Sequence, residues 1–391
     1  MPGTRNVCEQ HTAYLFDRGG QTRLQQLGPL VSCSWQRVRD DISSAAITLA
    51  APECAGSVSE VEPGRHELVL YRGQDRVWEG PITLVRWERD TVAIEAKDVL
   101  FYVSRLIARQ GLNNAYPNIV TTVNRARALL ELELPRMESL DPPVNVLPYL
   151  ITYHHDDDAR TSKKTIPFQM TVFEDIDDLA AKSGIDYTVV GRSIVIHDTH
   201  LPLSRTTTMT EADIDGDVIV TSYGNELATF AAVTGGDGMY GTAVSSTHVN
   251  PATGVHPYYG LWEILDDAYD EEGDSSAPTQ SELNSQASRN LSGRMPTPVT
   301  ARVPDGSSLA PTSQIRLEDL VPGTQIPLIA TMTGRSFSQM QKLDKVDVSE
   351  DSTGEQIKVT LSPESENALD PSEETFLAST TARVGEHGTE V

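Results

Sequence analysis

Cysteine is scarce in this chain, and so are long apolar runs. The three cysteines, Cys8, Cys33 and Cys54, are widely spaced and odd in number, which fits neither a disulfide framework nor a zinc knuckle. We therefore expect reduced thiols in a protein made in the cytosol. No stretch approaches the roughly 18 consecutive apolar residues of a membrane span. The first ten residues also lack the basic start and apolar run of a signal peptide.

Positive charge is in short supply as well. The chain has 31 Lys and Arg against 56 Asp and Glu, which gives a formal net charge of −25 and a pI near 4.6. A non-specific nucleic-acid binder needs a basic face to displace counterions from phosphates, so the balance argues against that class and against binding to anionic membranes. At 391 residues the chain exceeds what one core usually fills, which predicts two or three domains.

The patterns that are present are mainly those of β-strands, beginning with residues 1–110. Apolar residues at 68–71 and a strand starting at Arg76 flank a turn, and Val92, Ile94 and Ala96 alternate with more polar neighbours. These pieces predict a first domain built as a β-meander that can close into a small barrel. Asp98 is a good N-cap for a following helix that extends to Ile107.

The middle of the chain predicts smaller elements. Residues 111–165 are an irregular and helical connector, with a helix that Pro135 ends. Residues 166–204 predict a small α+β domain, because the sequence from Thr171 to Glu174 is a capping box that opens an amphipathic helix. A β-hairpin turning at Gly191 follows, and the segment Ile166–Met170 is a candidate for a further strand.

The last part of the chain returns to β pattern. Residues 205–362 predict a second β-barrel domain that contains an acidic loop insertion at 264–280 and a short helix near Leu283. Residues 342–348 and 356–361 predict a closing hairpin. The composition of residues 363–391 predicts an acidic, flexible tail. The fold class expected from this order is mainly β with α+β inserts.

Three segments have the composition of a binding site but not its spacing. The run from His154 to Asp158 has adjacent ligands that converge poorly without a third group, so a solvated loop is favoured and an ion site is left open. The acidic run 266–274 lacks the spacing of a calcium loop. Gly235–Gly238 lacks the helix and Lys of a phosphate-binding loop. No Ser/His/Asp set is evident either, so we expect no catalytic, cofactor-binding or metal residues and no enzyme.

The order of the elements points to a family. The succession begins with Val77-Trp78-Glu79-Gly80-Pro81-Ile82, which leads into residues 94–102. The hairpin at 184–196 follows. Residues 317–324 come next, and the hairpin closing at 354–361 is last. Over roughly residues 12–362, this succession resembles the Gp37-like group of minor tail proteins from long, flexible-tailed actinobacterial phages. Members of this group look like baseplate hub or tail-tip proteins of siphophages.

The resemblance implies a structural virion protein of the tail tip. It implies two tail-tube-like β-barrel domains per chain and a homotrimeric ring. That ring would join the hexameric tail tube to threefold tip or fibre proteins and let DNA pass. The implied partners are the distal tail or tube protein, the tip or fibre protein and the tape-measure protein, with no specific nucleic-acid binding and no stable membrane insertion. An acidic passage would repel the phosphates of exiting DNA.

Two other functions remain open from the sequence. A receptor-binding tail protein that recognises a host cell-surface glycan would need an exposed aromatic platform, and Trp262 with Tyr258 and Tyr259 is the one local aromatic cluster. The competing interpretation of this cluster is a strand or loop that packs on its own domain. A tail-associated cell-wall hydrolase would need a catalytic constellation, for which the sequence offers no candidate.

Overall fold

The structure is a computed structural model. It describes residues 10–50, 61–109, 122–138, 150–153, 167–183, 185–198, 208–222, 224–235, 238–245, 249–267, 280–291, 299–332 and 335–363, together with Leu203 and Arg294. Contacts divide the chain into two units. Unit 1 takes the described residues of Met1–Asp217, Val303–Ile329 and Gln341–Ser362, and unit 2 takes those of Val218–Arg302, Ala330–Met340 and Pro363–Val391.

The first half of the chain forms a β-meander, which is followed by helices and three further strands. The meander consists of β1 (His11–Phe16), β2 (Arg23–Gln26), β3 (Leu30–Val38), β4 (Ser44–Ala50), β5 (Glu67–Arg72), β6 (Asp75–Trp87) and β7 (Thr91–Lys97). It is followed by α1 (Leu100–Ser104), α2 (Thr122–Glu133), α3 (Pro135–Glu138), β8 (Leu150–Tyr153), α4 (Val172–Ser183), β9 (Ile185–Val190) and β10 (Ser193–Asp198).

The second half is again rich in strands. Its elements are β11 (Met209–Thr210), β12 (Ile214–Asp215), β13 (Ile219–Ser222), β14 (Phe230–Thr234), β15 (Tyr240–Val244), β16 (Glu263–Asp267), α5 (Gln280–Leu291), β17 (Val299–Arg302), β18 (Ser308–Leu309), β19 (Gln325–Met332), β20 (Arg335–Asp351) and β21 (Gly354–Pro363). Strands therefore dominate the described residues, which confirms the mainly β fold class. None of the described helices has the length and apolar character to cross a bilayer.

The largest sheet combines strands from both ends of the chain. It has 13 strands, and its main path runs β12-β18-β21-β20-β3-β4-β7-β6-β5-β1-β2, with β11 and β19 beside it. The central link is the antiparallel pairing of β20 with β3, in which Lys345 lies opposite Val38 and Glu350 opposite Cys33. Within the described residues the sheet does not close on itself, so neither predicted barrel is seen as a closed barrel. The predicted boundaries at 110, 165, 204 and 362 stay a prediction.

The helix predicted after Asp98 is present, but Asp98 is not its N-cap. The carboxylate of Asp98 accepts a hydrogen bond from the Leu100 backbone N–H at 2.9 Å, while the N-cap position belongs to Val99, which makes no side-chain cap. Helix α1 is shorter than predicted and ends at Ser104, because the chain then pairs with the segment before α4, where Ala108 N–H donates to the Met170 carbonyl. Helix α2 ends at Glu133, so the prediction that Pro135 ends it is confirmed; Pro135 then occupies the first position of α3, where its missing N–H costs nothing.

The small α+β part has the predicted helix and hairpin but a different third strand. Thr171 and Glu174 form the capping box, with N–H to side-chain distances of 2.7 and 3.2 Å. The third strand is β8, which pairs in parallel with β10 and lies in the predicted irregular connector. Residues 167–170 form turns and bends, so for these residues the expectation of a further strand is wrong. Helices α1, α2 and α4 share one apolar core with β9 and β10.

Unit 2 contains a three-stranded sheet with a helix on one face. Its order is β15-β14-β16, and helix α5 packs on it. The predicted helix near Leu283 is confirmed, since Leu283, Ala287 and Leu291 are buried against Ala231 and Val233 of β14. Gly241 of β15 lies directly under this helix, because a Cβ added there would be 2.3 Å from the carbonyl carbon of Leu283. The helix backbone can approach this closely only where β15 has no side chain.

Candidate functional site

The residues singled out for ion or phosphate binding mostly lie outside the described part of the chain. This holds for His154–Asp158 and for residues 268–274 of the acidic run, and it holds for the centre of the glycine turn, residues 236–237. Gly235 and Gly238 border that turn between β14 and β15. Within the residues that the structure describes, no group of three or more His, Cys, Asp and Glu side chains could hold a metal ion.

The cluster that the sequence did not reveal is a group of buried charges at the turn of hairpin β9–β10. Arg192 forms ion pairs with Glu67 and Glu79, which come from β5 and β6 of the large sheet. Tyr102 donates a hydrogen bond of 2.7 Å to Glu67, whose side chain is completely buried, and Gly19 N–H donates a second one of 2.8 Å. We call Arg192, Glu67, Glu79 and Tyr102 the Arg192 cluster. It fixes the hairpin to the sheet.

The electrostatics of the Arg192 cluster follow from burial. Burial alone would lower the pKa of Arg192, but Glu67 and Glu79 outweigh it and raise that pKa, so the guanidinium stays charged. Burial raises the pKa of Glu79 even though Arg76 and Arg192 lie beside it. Gly20 completes the cluster, since a Cβ there would be 2.5 Å from the Arg192 guanidinium and the backbone φ is +64°. Both facts favour glycine at this position.

A second group of charges holds the other end of the same hairpin. Asp186 of β9 pairs with Arg39 at 3.1 Å and with Lys342, and Arg39 also pairs with Asp344 at 2.7 Å. Asp40 N–H donates to the Tyr187 carbonyl, and Tyr187 N–H donates to the Asp40 carboxylate, both at 2.8 Å. We call Arg39, Asp40, Asp186, Lys342 and Asp344 the Asp186 cluster. Hairpin β9–β10 is thus anchored at both ends, which makes it part of a rigid scaffold.

The pKa values in the Asp186 cluster move in opposite directions. Burial acts to raise the pKa of Asp186, but Arg39, Lys342 and His197 together lower it. Burial and the neighbouring Asp186 raise the pKa of Asp40 to about 7. Asp40 also has a backbone φ of +57°, a left-handed conformation that Asp and Asn tolerate better than most residues.

A groove of about 810 Å³ lies in unit 1 beside the N-terminus of β1 and the turn between β20 and β21. Trp35 Nε1–H donates to His11 Nε2 at 3.0 Å. Because Nε2 accepts, His11 carries its proton on Nδ1, which donates to Glu350 at 2.5 Å. Burial and the nearby Glu350 and Glu355 raise the pKa of the Cys33 thiol to about 12. A thiol with that pKa stays protonated at neutral pH and is a poor nucleophile.

The aromatic cluster that the sequence left open as a receptor platform or as a packed loop is brought together at the surface of unit 2. Tyr258 and Tyr259 pack edge to face with ring centroids 4.9 Å apart, and Trp262 Nε1–H donates to the Tyr259 carbonyl at 2.9 Å. Tyr258 is 84% exposed and Trp262 is 47% exposed. The loop therefore holds its shape through internal contacts while it presents aromatic surface to solvent.

In sequence, the chain matches no protein-family model and no curated protein. Its fold, however, is similar to solved structures of phage tail proteins. The 43 kDa tail protein of prophage MuSo2 from Shewanella oneidensis is 12% identical with a TM-score of 0.55; the match covers 92% of this chain and 99% of that one. A tail protein from Neisseria meningitidis MC58 is 11% identical with a TM-score of 0.53, covering 92% and 99%.

A third solved structure extends this likeness to another bacterial group. Prophage tail protein gp18 from Listeria monocytogenes EGD-e is 10% identical with a TM-score of 0.50, and the match covers 95% of this chain and 98% of that one. At these identities the likeness concerns the fold. It spans nearly the whole of each chain, so the fold of this chain is similar to that of these tail proteins over almost their entire length.

Proposed function

We propose that this chain is a structural component of a phage tail tip, a baseplate hub or minor tail protein of the virion. The observation that carries the proposal is the near-complete coverage of both chains in the match to the MuSo2 tail protein. The anchored hairpin supports it, because a scaffold that transmits geometry between neighbours needs rigid connections between its parts. The role proposed here requires no catalytic residues.

The finer proposal is a homotrimeric ring that joins the hexameric tail tube to threefold tip or fibre proteins. A cyclic trimer of a chain with two similar β-rich parts presents six similar surfaces to the tube and three to the tip. The net charge of −25 per chain supports a passage that repels DNA phosphates. Membership of the Gp37-like group of siphophage proteins and the two tube-like barrels belong to this proposal.

The test is the state of the purified protein and its place in the particle. Mass photometry should give a trimer, and negative-stain images should show a ring with a central opening. Immunogold labelling of virions whose genome encodes this chain should mark the tail tip. A monomer at all concentrations together with label away from the tail would overturn the proposal. A cleared band in cell-wall zymography would overturn the non-enzymatic role.

A second candidate function is receptor binding, and one observation favours it. The exposed side chains of Tyr258 and Trp262 form a platform of the kind that can stack against sugar rings. Labelled protein should then bind host cells, and Trp262→Ala should abolish that binding while its thermal unfolding stays near that of the parent.

A further inference from the structure

Exposed apolar residues are concentrated in one short stretch of unit 2. Val255, Tyr258, Leu261, Trp262 and Leu265 are all exposed, and they fall within eleven residues. Single exposed apolar residues are normal on a protein surface, but a contiguous group marks an interaction site. Leu265 is the clearest case, because 72% of this strand leucine is open to solvent.

The pairing of the strands explains why Leu265 is open. Ala231 and Val233 point toward helix α5, so the alternate residues Phe230 and Ala232 point to the opposite face of the sheet. Leu265 lies opposite Ala232 and therefore shares that face. The loop after β15 packs on the same face, since Gly254 lies against the Phe230 side chain and Leu261. We call Leu265 together with the exposed apolar residues of the preceding loop, Val255, Tyr258, Leu261 and Trp262, the apolar surface.

The part of the sequence that carries the apolar surface is acidic. Residues 218–288 contain ten Asp and Glu but no Lys or Arg. Glu263 is exposed on the same strand as Leu265, and the acidic run 266–274 follows it directly in the sequence. An apolar surface inside a negative field is complementary to a partner that has apolar side chains surrounded by Lys and Arg.

We propose that the apolar surface docks another tail protein whose contact face is apolar at its centre and basic at its rim. The inference rests on the proposed role in tail assembly. The aliphatic side chains of Val255, Leu261 and Leu265 favour a protein over a glycan, because sugars stack on aromatic rings, whereas aliphatic residues fill apolar protein contacts. A second copy of this chain is disfavoured, since the same acidic segment would face itself in an isologous contact, and a net charge of −25 leaves the chain little basic surface for a heterologous one.

The test begins with zero-length carbodiimide cross-linking of intact virions whose genome encodes this chain, because this reagent joins carboxylates only to amines in direct contact. Glu263 or the acids at 266–274 should be cross-linked to lysines of a different tail protein. That protein is then purified, and its binding to the full-length chain is measured. Leu265→Ser and Tyr258→Ala should each weaken binding about 10-fold, and raising NaCl from about 50 to 500 mM should weaken it further.

Matched variants separate docking from folding. Leu24 is 46% exposed on strand β2 of unit 1, so Leu24→Ser makes the same chemical change away from the apolar surface and should leave binding unchanged. Thermal unfolding of Leu265→Ser should match that of the parent, because an exposed side chain contributes little to stability. Glu263→Gln should reduce the salt dependence of binding.

Four outcomes would overturn the inference. These are cross-links from the acidic segment only to a second copy of this chain, an absence of cross-links from that segment, equal loss of binding in Leu24→Ser, and host-cell binding that depends on Tyr258. The last outcome would favour the receptor-binding function instead. A trimeric ring at the tail tip could be observed in all four cases, so failure here is distinguishable from failure of the proposed tail-tip role.

Discussion

Hairpin β9–β10 in unit 1 and helix α5 in unit 2 are held on their sheets by different means. The hairpin is anchored at both ends by buried charges, with Arg192 at its turn and Asp186 at its open end. Helix α5 instead lies on small apolar residues, Ala231 and Gly241 among them. A buried ion cluster is stable in only one arrangement, because any other leaves a buried charge unpaired. A contact through small residues depends instead on how closely the helix backbone fits against the sheet.

The largest effect is expected from removing the cation of the Arg192 cluster. Arg192→Met leaves Glu67 buried without its ion-pair partner, while Glu79 keeps Arg76, and breaking a buried pair in this way costs about 3–5 kcal/mol. Urea denaturation followed by circular dichroism should register this loss in the free energy of unfolding.

The matched control is Arg316→Met. Arg316 pairs with Glu318 at 3.2 Å, but the arginine side chain is 69% exposed, so the pair is screened by water. This variant should stay within about 0.5 kcal/mol of the parent. If both variants lost the same stability, burial would not be what makes the Arg192 cluster important.

The next largest effect is expected in unit 2. Gly241→Ala puts a Cβ where Asn284 N lies 2.5 Å away, so helix α5 must shift from the sheet. Such overpacking costs about 1–3 kcal/mol. Hydrogen exchange followed by mass spectrometry should show faster exchange in α5, Gln280–Leu291, with exchange in β9, Ile185–Val190, unchanged.

Gly224→Ala is the comparison for this variant. Gly224 is also in unit 2, but an added Cβ there meets nothing within 4 Å. Its exchange pattern should equal that of the parent. Unchanged exchange in α5 of Gly241→Ala would contradict the close helix–sheet contact.

The sequence was informative wherever structure depends on neighbouring residues. The capping box of Thr171 and Glu174, the hairpin that turns at Gly191 and the helix around Leu283 are local patterns, and all three are confirmed. The exposed aromatic loop around Trp262 was also recognised as a candidate site, although whether its side chains would face solvent or pack on their own domain remained open.

The long-range contacts could not be read from local pattern. Arg192 meets Glu67 across 125 positions, and both residue types are common in surface turns and strands. The four residues of β8 lie in a stretch without helical or alternating pattern, and their strand forms only because β10 supplies a partner. The pairing of β3 with β20 joins segments more than 300 positions apart, which explains why the two ends of the chain were assigned to separate barrels.

The smallest effect, and the one with a defined pH dependence, is expected at Asp40. Its pKa of about 7 in the folded state lies above the ordinary value of 3.8, so folding favours the protonated carboxyl. The stabilisation is fully present below about pH 4 and is lost as the pH rises through about 7. Asn keeps the acceptor for Tyr187 N–H and tolerates the positive φ, but it carries no charge beside Asp186. Arg39 and Lys342 also face this site and lose one carboxylate neighbour in the variant.

Asp40→Asn should therefore stabilise the protein at pH 8, where the wild-type carboxylate is charged, and change little at pH 4, where it is protonated. The gain at pH 8 should be on the order of 1 kcal/mol, because the Asp40 side chain is about one-third exposed and solvent screens its repulsion. Thermal unfolding between pH 4 and 8 measures the difference, with Asp347→Asn as the control, since Asp347 forms an exposed pair with Lys345 on β20. If the variant were less stable than the parent at pH 8, the attraction of the Asp40 carboxylate to Arg39 would outweigh the cost of burying it. The Asp186 cluster would then stabilise the hairpin at high pH as strongly as at low pH.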